Sequence, residues 1–313
     1  MAQSATASAP LLRIGTRGSP LALAQARQVR ARLAAALACE PERVAIVPIR
    51  TSGDTIQDRP LAEAGGKGLF TKEIEEALIA GAIDVAVHSA KDMPTLLPAG
   101  LAIAACLPRE DARDVFISRV AKTLAALKPG AVVGTASLRR QAQVLRLRPD
   151  VEVVAFRGNV ETRIAKLEAG KVDATLLALA GLRRLGLEQA ATAVLGVDEF
   201  VPAVGQGIIA METRDDDATT RNIVEMIGDQ PAQWALAAER GFLSALDGSC
   251  RSPIAGHAVV AGAEVRFRGM ILRADGSEVL ECQRVGAAAE AVALGRDAGM
   301  ELRGRAPPGF LSA

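Results

Sequence analysis

Short runs of apolar, often β-branched residues alternate with amphipathic segments through most of the 313-residue chain. LLRIG at 11–15 and VAIVPI at 44–49 are each followed by a segment whose apolar residues recur at helical spacing. The strand-like runs are continuously apolar, which is typical of strands covered by helices on both faces. The pattern therefore predicts α/β domains with parallel or mixed sheets.

Two changes in composition divide this pattern. The Pro- and charge-rich CLPREDARD at 106–114 precedes a restart of the strand–helix alternation, and VPAVGQG at 201–207 precedes an acidic stretch. Beyond Pro231 the sequence indicates one long helix, the strand-like runs HAVV and VRFRGMILR, and an Ala-rich closing helix. The chain is too long for one ordinary core, so we expect two or three domains, the last a smaller α+β unit.

Charge is unevenly distributed, although the formal net charge is only +1. Residues 134–184 hold ten Lys and Arg against five Asp and Glu, whereas residues 186–230 hold two Arg against nine acidic residues. A locally basic segment indicates an anionic ligand. Aromatic residues make up 3% of the sequence and tyrosine is absent, so the stacking surfaces of a single-stranded nucleic-acid binder are not encoded. We expect a small polyanion and no nucleic acid.

The four cysteines lie far apart without a CxxC pair, and the sequence holds two histidines. This spacing encodes neither a structural zinc site nor a disulfide framework, so no metal is expected. Reduced thiols are typical of the cytoplasm, which is the predicted location. The first ten residues lack the features of a secretory leader, and no apolar run reaches membrane-spanning length, so we expect a soluble protein without a membrane partner.

Three junctions between a predicted strand and a predicted helix carry the same chemistry. LLRIG leads into TRGSP, where Ser19 can cap a helix and Pro20 can fill its first position; AVVG leads into TASLRR, and VEVVAF leads into RGNVETR. Each offers free backbone N–H groups beside at least one arginine, a combination that binds carboxylate or phosphate. Ser and Thr caps are often purely structural, but three such junctions at strand ends indicate an anion site.

GGKGLF at 65–70 offers a lysine just before a predicted helix that carries Phe70, Ile74, Ala77 and Leu78. The stretch is not a nucleotide-binding P-loop, because the first glycine of that motif is missing and another glycine follows Lys67. It is either a flexible turn or a mobile loop that brings Lys67 to a ligand.

HSAKDMP at 88–94 follows the strand-like IDVAV, so Ser89, Lys91 and Asp92 stand at a strand end. Asp92 is either a solvated partner of Lys91 or a catalytic carboxylate. The spacing does not indicate a Ser-His-Asp triad.

Cys250 lies in GFLSALDGSCRSPIAGH, on a Gly/Ser/Pro-rich loop between a predicted helix and a predicted strand. A single cysteine is most often an unreactive thiol. This one precedes Arg251, and a loop thiol beside a cation is accessible and can be nucleophilic. Cys250 is therefore a candidate for a covalent attachment.

Nine ordered stretches that span nearly the whole chain resemble the porphobilinogen deaminase family, also called hydroxymethylbilane synthases. They are LRIGTRGSPLALAQ, GGKGLFTKEIE, DVAVHSAKDMP, REDARDVFIS, VGTASLRRQAQ, FRGNVETRIAKL, LALAGLRRLGL, PAVGQGIIAME and the cysteine loop. So many motifs in the family's order make a highly specific match.

The resemblance implies an α/β fold of two lobes similar to type II periplasmic binding proteins, plus a smaller α+β C-terminal domain. Lobe 1 would comprise residues 1–107 with 206–227, lobe 2 residues 108–205, and the C-terminal domain residues 228–313. The family are typically monomeric transferases that condense four porphobilinogen molecules head to tail, release ammonia at each addition and free the linear tetrapyrrole hydroxymethylbilane.

The family's primer is a dipyrromethane cofactor held by a thioether, and the resemblance places that bond at Cys250. Asp92 matches the catalytic carboxylate, which would stabilise positive charge as ammonia leaves. The remaining matched positions would contact carboxylates. Those of the cofactor would meet Lys91, Ser89, Thr135, Ser137, Arg139 and Arg140, and those of the substrate would meet Arg17, Ser19, Lys67, Arg109, Arg157, Arg163 and Arg184.

Two other function classes stay open at this point. A non-catalytic anion-binding module of the periplasmic-binding-protein type would explain the lobes and the arginines, but not Cys250 or Asp92. A nucleotide-dependent transferase is disfavoured by the failed P-loop and the missing GxGxxG motif. Ehrlich's reagent, which reacts with bound pyrroles, would distinguish the deaminase from both.

Overall fold

The computed structural model describes residues 9–55, 68–248 and 252–311. Lys67 and Cys250, both singled out in the sequence, lie outside these ranges. The strands are β1 (Leu12–Arg17), β2 (Val44–Ile49), β3 (Val85–Ser89), β4 (Leu101–Cys106), β5 (Asp114–Ser118), β6 (Val132–Gly134), β7 (Glu152–Val154), β8 (Ala174–Ala178), β9 (Ala193–Val194), β10 (Ile209–Arg214), β11 (Ile254–Ala261), β12 (Glu264–Leu272) and β13 (Val279–Ala287).

The helices are α1 (Pro20–Ala36), α2 (Ser52–Thr55), α3 (Lys72–Ile79), α4 (Leu138–Leu147), α5 (Val160–Glu168), α6 (Leu179–Arg184), α7 (Ala218–Glu225), α8 (Gln230–Ala245) and α9 (Ala291–Arg305). None of these helices is both long and apolar enough to cross a bilayer.

Five strands form the first sheet, in the order β2-β1-β3-β10-β4. β2, β1 and β3 are parallel, and β10 runs antiparallel to both of its neighbours. α1 covers one face of the sheet through Val29 and Leu33, and α3 covers the other through Ile74 and Leu78. These side chains are fully buried. Cover on both faces is the reason that the strands are continuously apolar.

The second sheet repeats this arrangement, in the order β7-β6-β8-β5-β9. β7, β6 and β8 are parallel, and β5 is antiparallel to β8 and to β9. Successive residues of β5 point to opposite faces, so Phe116 joins one core cluster with Leu176 and Val115 joins another with Leu182.

The chain crosses between the two sheets twice. Residues 107–113 lead from β4 to β5, and residues 195–208 lead from β9 back to β10. In each sheet the antiparallel strand is therefore the one that the chain enters directly after a crossover. The side-chain amide of Gln206 in the second crossover donates to the carbonyl of Ala112 in the first at 2.7 Å, so the two segments lie side by side.

A third, antiparallel sheet of β11, β12 and β13 forms the C-terminal domain with α8 and α9. Its core includes Phe242 and Phe267, whose ring centroids are 5.0 Å apart. The sequence did not predict β13. Its apolar residues alternate with polar and charged ones, because only one face of this strand packs on the core.

The predicted mixed α/β fold, with two sheet-containing lobes and a smaller C-terminal domain, is confirmed. The residue numbers at which the lobes begin and end stay a prediction. One helix begins later than expected: α3 starts at Lys72, and Phe70 lies before it, in a turn after Gly68. Gly68 has a φ of 77°, a conformation that favours glycine and delays the helix.

Candidate active site

The three predicted anion-binding junctions are capped helix starts at the ends of strands. Ser19 Oγ accepts from the Ala22 N–H at 3.3 Å at the start of α1, and Ser137 Oγ accepts from the Arg140 N–H at 3.4 Å at the start of α4. Asn159 caps α5 in the same way, so the hydroxyls of Ser19 and Ser137 already have a structural role. Thr135 is buried, and its Oγ1 accepts from the Ser137 N–H at 3.2 Å.

The backbone that carries Asp92 is fixed by the strand that precedes it. β3 ends at Ser89, and a 3-10 turn follows over Ala90–Asp92. His88 is buried with its Nε2 3.1 Å from Glu212 Oε2, so this histidine faces away from the turn into the first lobe. The Asp92 side chain is exposed. A fixed backbone therefore presents a solvated carboxylate just beyond the carboxyl end of β3.

Ser89 has a partner that the sequence analysis missed. Gln25 Nε2 donates to Ser89 Oγ at 2.8 Å, and Gln25 is only 2% exposed. The signal was a glutamine on the apolar stripe of α1, next to Ala26, where its amide needs a buried partner.

Arg139 and Arg140 both bind Asp114, the first residue of β5. Arg140 Nη2 lies 2.6 Å from Asp114 Oδ1, and Arg139 Nη2 lies 2.8 Å from Oδ2. All three side chains are buried. Burial acts to raise the pKa of Asp114, but the two guanidinium groups hold it far below its usual range. Two cations against one anion leave a net positive charge in a buried place.

Gln206 connects this pair to Lys91. Its Nε2 donates to Asp114 Oδ1 at 3.1 Å, and its Oε1 accepts from Lys91 Nζ at 3.3 Å. Burial lowers the pKa of Lys91 to about 8; Asp92 and Asp114 oppose that shift, while Arg139 and Arg140 add to it. The opposing and supporting charges show that the turn of the first lobe faces the arginine pair of the second.

Two more predicted arginines, Arg163 and Arg184, are desolvated in the second lobe. Burial lowers the pKa of Arg163 to about 10; Arg140 and Arg157 add to the shift and Asp92 opposes it. Burial also lowers the pKa of Arg184 to about 10. Arg163 Nε donates to the Gly158 carbonyl at 2.8 Å, and Arg184 Nη2 donates to the Gly207 carbonyl at 2.7 Å. A guanidinium stays charged, so such desolvation favours an anionic partner.

Arg17 ends β1, which is the parallel neighbour of β3. The carboxyl ends of parallel neighbours meet at one edge of a sheet, so Arg17 and Ser19 lie at the same edge as Ser89. The Arg17 guanidinium stacks over the Phe70 ring, 4.2 Å from its centroid.

Arg109 differs from the other predicted contacts because protein groups surround its guanidinium. Its Nη1 lies 2.6 Å from Glu239 Oε1 and donates to the Ala258 carbonyl at 3.2 Å, and its Nε donates to the Gln206 carbonyl at 2.9 Å. Glu239 is fully buried and also accepts from the Gly205 N–H at 2.6 Å. Arg109 thus joins a crossover to the C-terminal domain.

Two of the described cysteines are buried and poorly placed to react. Cys106 and Cys282 are buried free thiols, and burial raises their pKa to about 12 and about 11. Both are therefore poor nucleophiles at neutral pH. In residues 9–55, 68–248 and 252–311, no group of three or more His, Cys, Asp or Glu could hold a metal ion.

The structure thus brings Lys91 and Asp92 from the first lobe next to a cluster of arginines from the second. Such an arrangement can bind a polyanion through several carboxylates at once while exposing one carboxylate to a developing positive charge. Sequence reasoning found the cations but missed Asp114 and Gln206. The one local signal for Asp114 was a charged residue opening the apolar run VFI.

Sequence models of one protein family match most of the chain. Residues 12–222 match the sequence model described as "Porphobilinogen deaminase, dipyromethane cofactor binding domain", and residues 234–304 match the one described as "Porphobilinogen deaminase, C-terminal domain". Among solved structures, the chain resembles the methionine-binding protein MetQ, with a TM-score of 0.43 and 14% identity over 69% of this chain and 88% of that one. It also resembles the periplasmic aliphatic sulphonate binding protein SsuA from Escherichia coli, with a TM-score of 0.40 and 16% identity over 74% of this chain and 69% of that one.

Curated relatives are far more similar in sequence. A porphobilinogen deaminase from Nitrobacter winogradskyi is 61% identical over 310 residues, covering 99% of this chain and 98% of the relative. One from Paracoccus denitrificans is 54% identical over 299 residues, covering 96% of each. The matched sequence models and these identities lead to one conclusion: the chain belongs to the porphobilinogen deaminase family.

Proposed function

We propose that this chain condenses four molecules of porphobilinogen into hydroxymethylbilane. In each addition, porphobilinogen loses its amino nitrogen as ammonia, and its methylene carbon bonds to the free α-carbon of the growing chain, which gives up a proton. A dipyrromethane in thioether linkage to Cys250 would supply the first free α-carbon. After the fourth addition, water would add to the methylene carbon bonded to that α-carbon as the bond between them breaks, so that the α-carbon regains a proton and the tetrapyrrole leaves with its hydroxymethyl group. The observation that carries the proposal is the exposed Asp92 carboxylate beside desolvated cations of both lobes.

The residues present fit a cofactor with several carboxylates. Arg139 and Arg140 share the single anion Asp114, and Arg139 Nε is buried without a hydrogen-bond partner among the described residues. A buried N–H donor of this kind requires an acceptor, which a carboxylate oxygen supplies. The groups assigned to the cofactor carboxylates are Lys91, Ser89, Thr135, Ser137, Arg139 and Arg140.

The incoming substrate is assigned to arginines farther along the second lobe and to residues of the first lobe. This set contains Arg17, Ser19, Arg157, Arg163 and Arg184, together with Lys67, which lies outside the described residues. Arg109 is left out, because Glu239 and two backbone carbonyls already engage its guanidinium. Its role in this proposal is to hold the C-terminal domain against the crossover.

Asp92 acts on the charge that develops during each addition. As the carbon–nitrogen bond of porphobilinogen breaks, the methylene carbon and the attached ring become positively charged, and a nearby carboxylate lowers the energy of that state. The surrounding arginines attract the carboxylates of the substrate, whereas Asp92 attracts the positive charge at its reacting carbon.

The proposal extends to the organisation of the protein. Its units are residues 1–107 with 206–227, residues 108–205 and residues 228–313, and it acts as a monomer in the cytoplasm. The described cysteines Cys39, Cys106 and Cys282 are unpaired thiols, which supports a reducing compartment. Light scattering of the purified protein measures the mass in solution, and a dimer at working concentration would contradict the monomer.

Intact mass spectrometry tests the central claim. The purified chain should exceed its sequence mass by one dipyrromethane, the excess should map to a peptide with Cys250, and Ehrlich's reagent should colour the protein. Cys250→Ser should lack the increment and release no ammonia from porphobilinogen, because an alcohol does not provide thiolate chemistry. The matched control Cys39→Ser should keep both. Full activity with an unmodified Cys250 would refute the attachment.

A further inference from the structure

Thr95 connects the Asp92 turn to the segment that leads into Cys250. It lies three residues after Asp92, and its Oγ1 donates to the Gly248 carbonyl at 2.7 Å. Its own carbonyl accepts from Arg240 Nη2 at 2.8 Å. Both partners belong to the C-terminal region of the chain, so a single residue of the first lobe is bound there through its side chain and its backbone.

The Gly248 carbonyl is a well-defined acceptor because the end of α8 is tightly built. The Asp247 N–H donates to the Ser244 carbonyl at 3.2 Å, and the Gly248 N–H donates to the Leu243 carbonyl at 3.0 Å. This pair of bonds, with Asp247 at a φ of 50°, is the Schellman arrangement that ends a helix. A Cβ at position 248 would meet the ends of the Ile254 and Leu243 side chains, so a larger residue there would have to displace both.

The turn that contains Asp92 is also held by defined contacts. The Met93 N–H donates to the Ala90 carbonyl at 3.3 Å, and the Met93 side chain packs in an apolar cluster with Leu236 of α8. Burial lowers the pKa of Arg240, whose charge is balanced in part by Glu212. Such a desolvated guanidinium needs acceptors, and the Thr95 carbonyl is one.

These contacts limit the reach between the two chemical groups. Gly248 lies two residues before Cys250, a distance of at most about 7 Å along an extended chain. Thr95 lies three residues after Asp92, a distance of at most about 11 Å. The hydrogen bond between Thr95 and Gly248 fixes the starting points of these two chain segments relative to each other. Without it, α8 would still contact this part of the first lobe through Arg240 and through the apolar cluster that contains Met93 and Leu236, but the Gly248 carbonyl would lose its bond to Thr95.

We infer that the Thr95 hydroxyl is a positioning group, which holds the Gly248 end of the cysteine loop at a fixed place relative to Asp92. This inference rests on the proposed roles of Cys250 and Asp92. Thr95 touches neither substrate nor cofactor in this account; it acts through the backbone that carries them. A small displacement of reacting groups is costly in rate, so the hydroxyl should affect turnover more than affinity.

The test uses two pairs of variants that differ only in the hydroxyl: the parent with Thr95→Val, and Thr95→Ser with Thr95→Ala. Each is purified with its cofactor, and the loaded fraction is measured by intact mass. Ammonia release is then followed at several porphobilinogen concentrations to separate kcat from KM, and urea unfolding is recorded for each. The matched control is Thr192→Val, which removes a hydroxyl that donates to the Ser118 carbonyl at 3.1 Å, at the end of β5 opposite Asp114.

Loaded Thr95→Val and Thr95→Ala should each lose about tenfold in kcat relative to their hydroxyl-bearing partners, with KM within about twofold. Thr192→Val should keep the kcat of the parent. If Thr95→Val fails to fold, the Ser and Ala pair decides alone. Equal kcat values within each pair would overturn the inference. So would a fall in kcat that parallels the fall in the urea unfolding midpoint and occurs in Thr192→Val as well. A parent without dipyrromethane or ammonia release would instead overturn the proposed function, so the two failures are distinguishable.

Discussion

Asp114→Asn is the most informative single substitution, because Asp114 is, within the described part of the chain, the one anion that both Arg139 and Arg140 bind. Asp114 is fully buried, and the two guanidinium groups are at most 7% exposed. Asparagine keeps the shape but removes the charge, so it leaves two uncompensated cations in the interior. Breaking a buried ion pair by removing one partner costs about 3–5 kcal/mol, and we expect a loss of this size in the free energy of unfolding.

The size of the loss should depend on the cofactor. In the proposed function, cofactor carboxylates lie near the same arginines, so they replace part of the missing negative charge when the cofactor is bound. The free energy of unfolding is measured in urea for the loaded chain and for Cys250→Ser, each with and without Asp114→Asn. The loss should be larger in the Cys250→Ser background. Equal losses in both would contradict the placement of the cofactor carboxylates.

The loss should also depend on pH. The arginines lower the folded-state pKa of Asp114 below its unfolded value of about 3.9, so its stabilising effect is present above about pH 3.9 and is lost as pH falls through the folded-state pKa. The difference between parent and variant should be constant from about pH 5 to 8 and shrink in more acidic solution. Asp150→Asn, which removes an exposed partner of Arg148 in the same lobe, is the control and should have a much smaller effect. A loss below about 1 kcal/mol at neutral pH would refute the reasoning.

Two further predictions concern the turn after β3. Asp92→Asn should lower the rate of ammonia release by about 10²–10⁴-fold in chains shown by mass to carry the cofactor, whereas Asp92→Glu should retain more activity; a loaded Asn variant within a few-fold of the parent would exclude charge stabilisation by this carboxylate. Burial lowers the pKa of Lys91 to about 8, so its ammonium loses charge as pH rises through that value, and the rate at which cofactor-free chain acquires dipyrromethane should fall there. Lys91→Arg, which stays charged, should abolish that fall, and an unchanged pH profile in this variant would assign it to another group.

Local chemistry was predictable from the sequence where a single stretch contains all the information. Ser19 and Pro20 define the start of α1, and the continuously apolar runs identify strands that are covered on both faces. β13 was missed because an edge strand with one exposed face carries a mixed pattern, and Phe70 was placed on a helix because helical spacing continues into the turn before α3.

The partners within the candidate site were not predictable in the same way. Gln206 and Lys91 are 115 positions apart, and Arg109 and Glu239 are 130 positions apart. A local sequence pattern does not show which arginine pairs with a buried carboxylate of the protein and which stays available to a ligand. That distinction depends on tertiary pairing, which is the reason that Arg109 resembled the cations assigned to ligands in the sequence and differs from them in the structure.

The position of β10 has a consequence for synthesis of the chain on the ribosome. β10 lies between β3 and β4, yet it follows them by about a hundred residues, with the whole second sheet in between. A nascent chain that ends before residue 209 cannot complete the first sheet, and the facing edges of β3 and β4 lack their partner until then. The second sheet needs only residues 114–194, so it can close earlier. The part of the protein made first is thus finished after the part made second, and its strand edges stay open to pairing with other chains during translation.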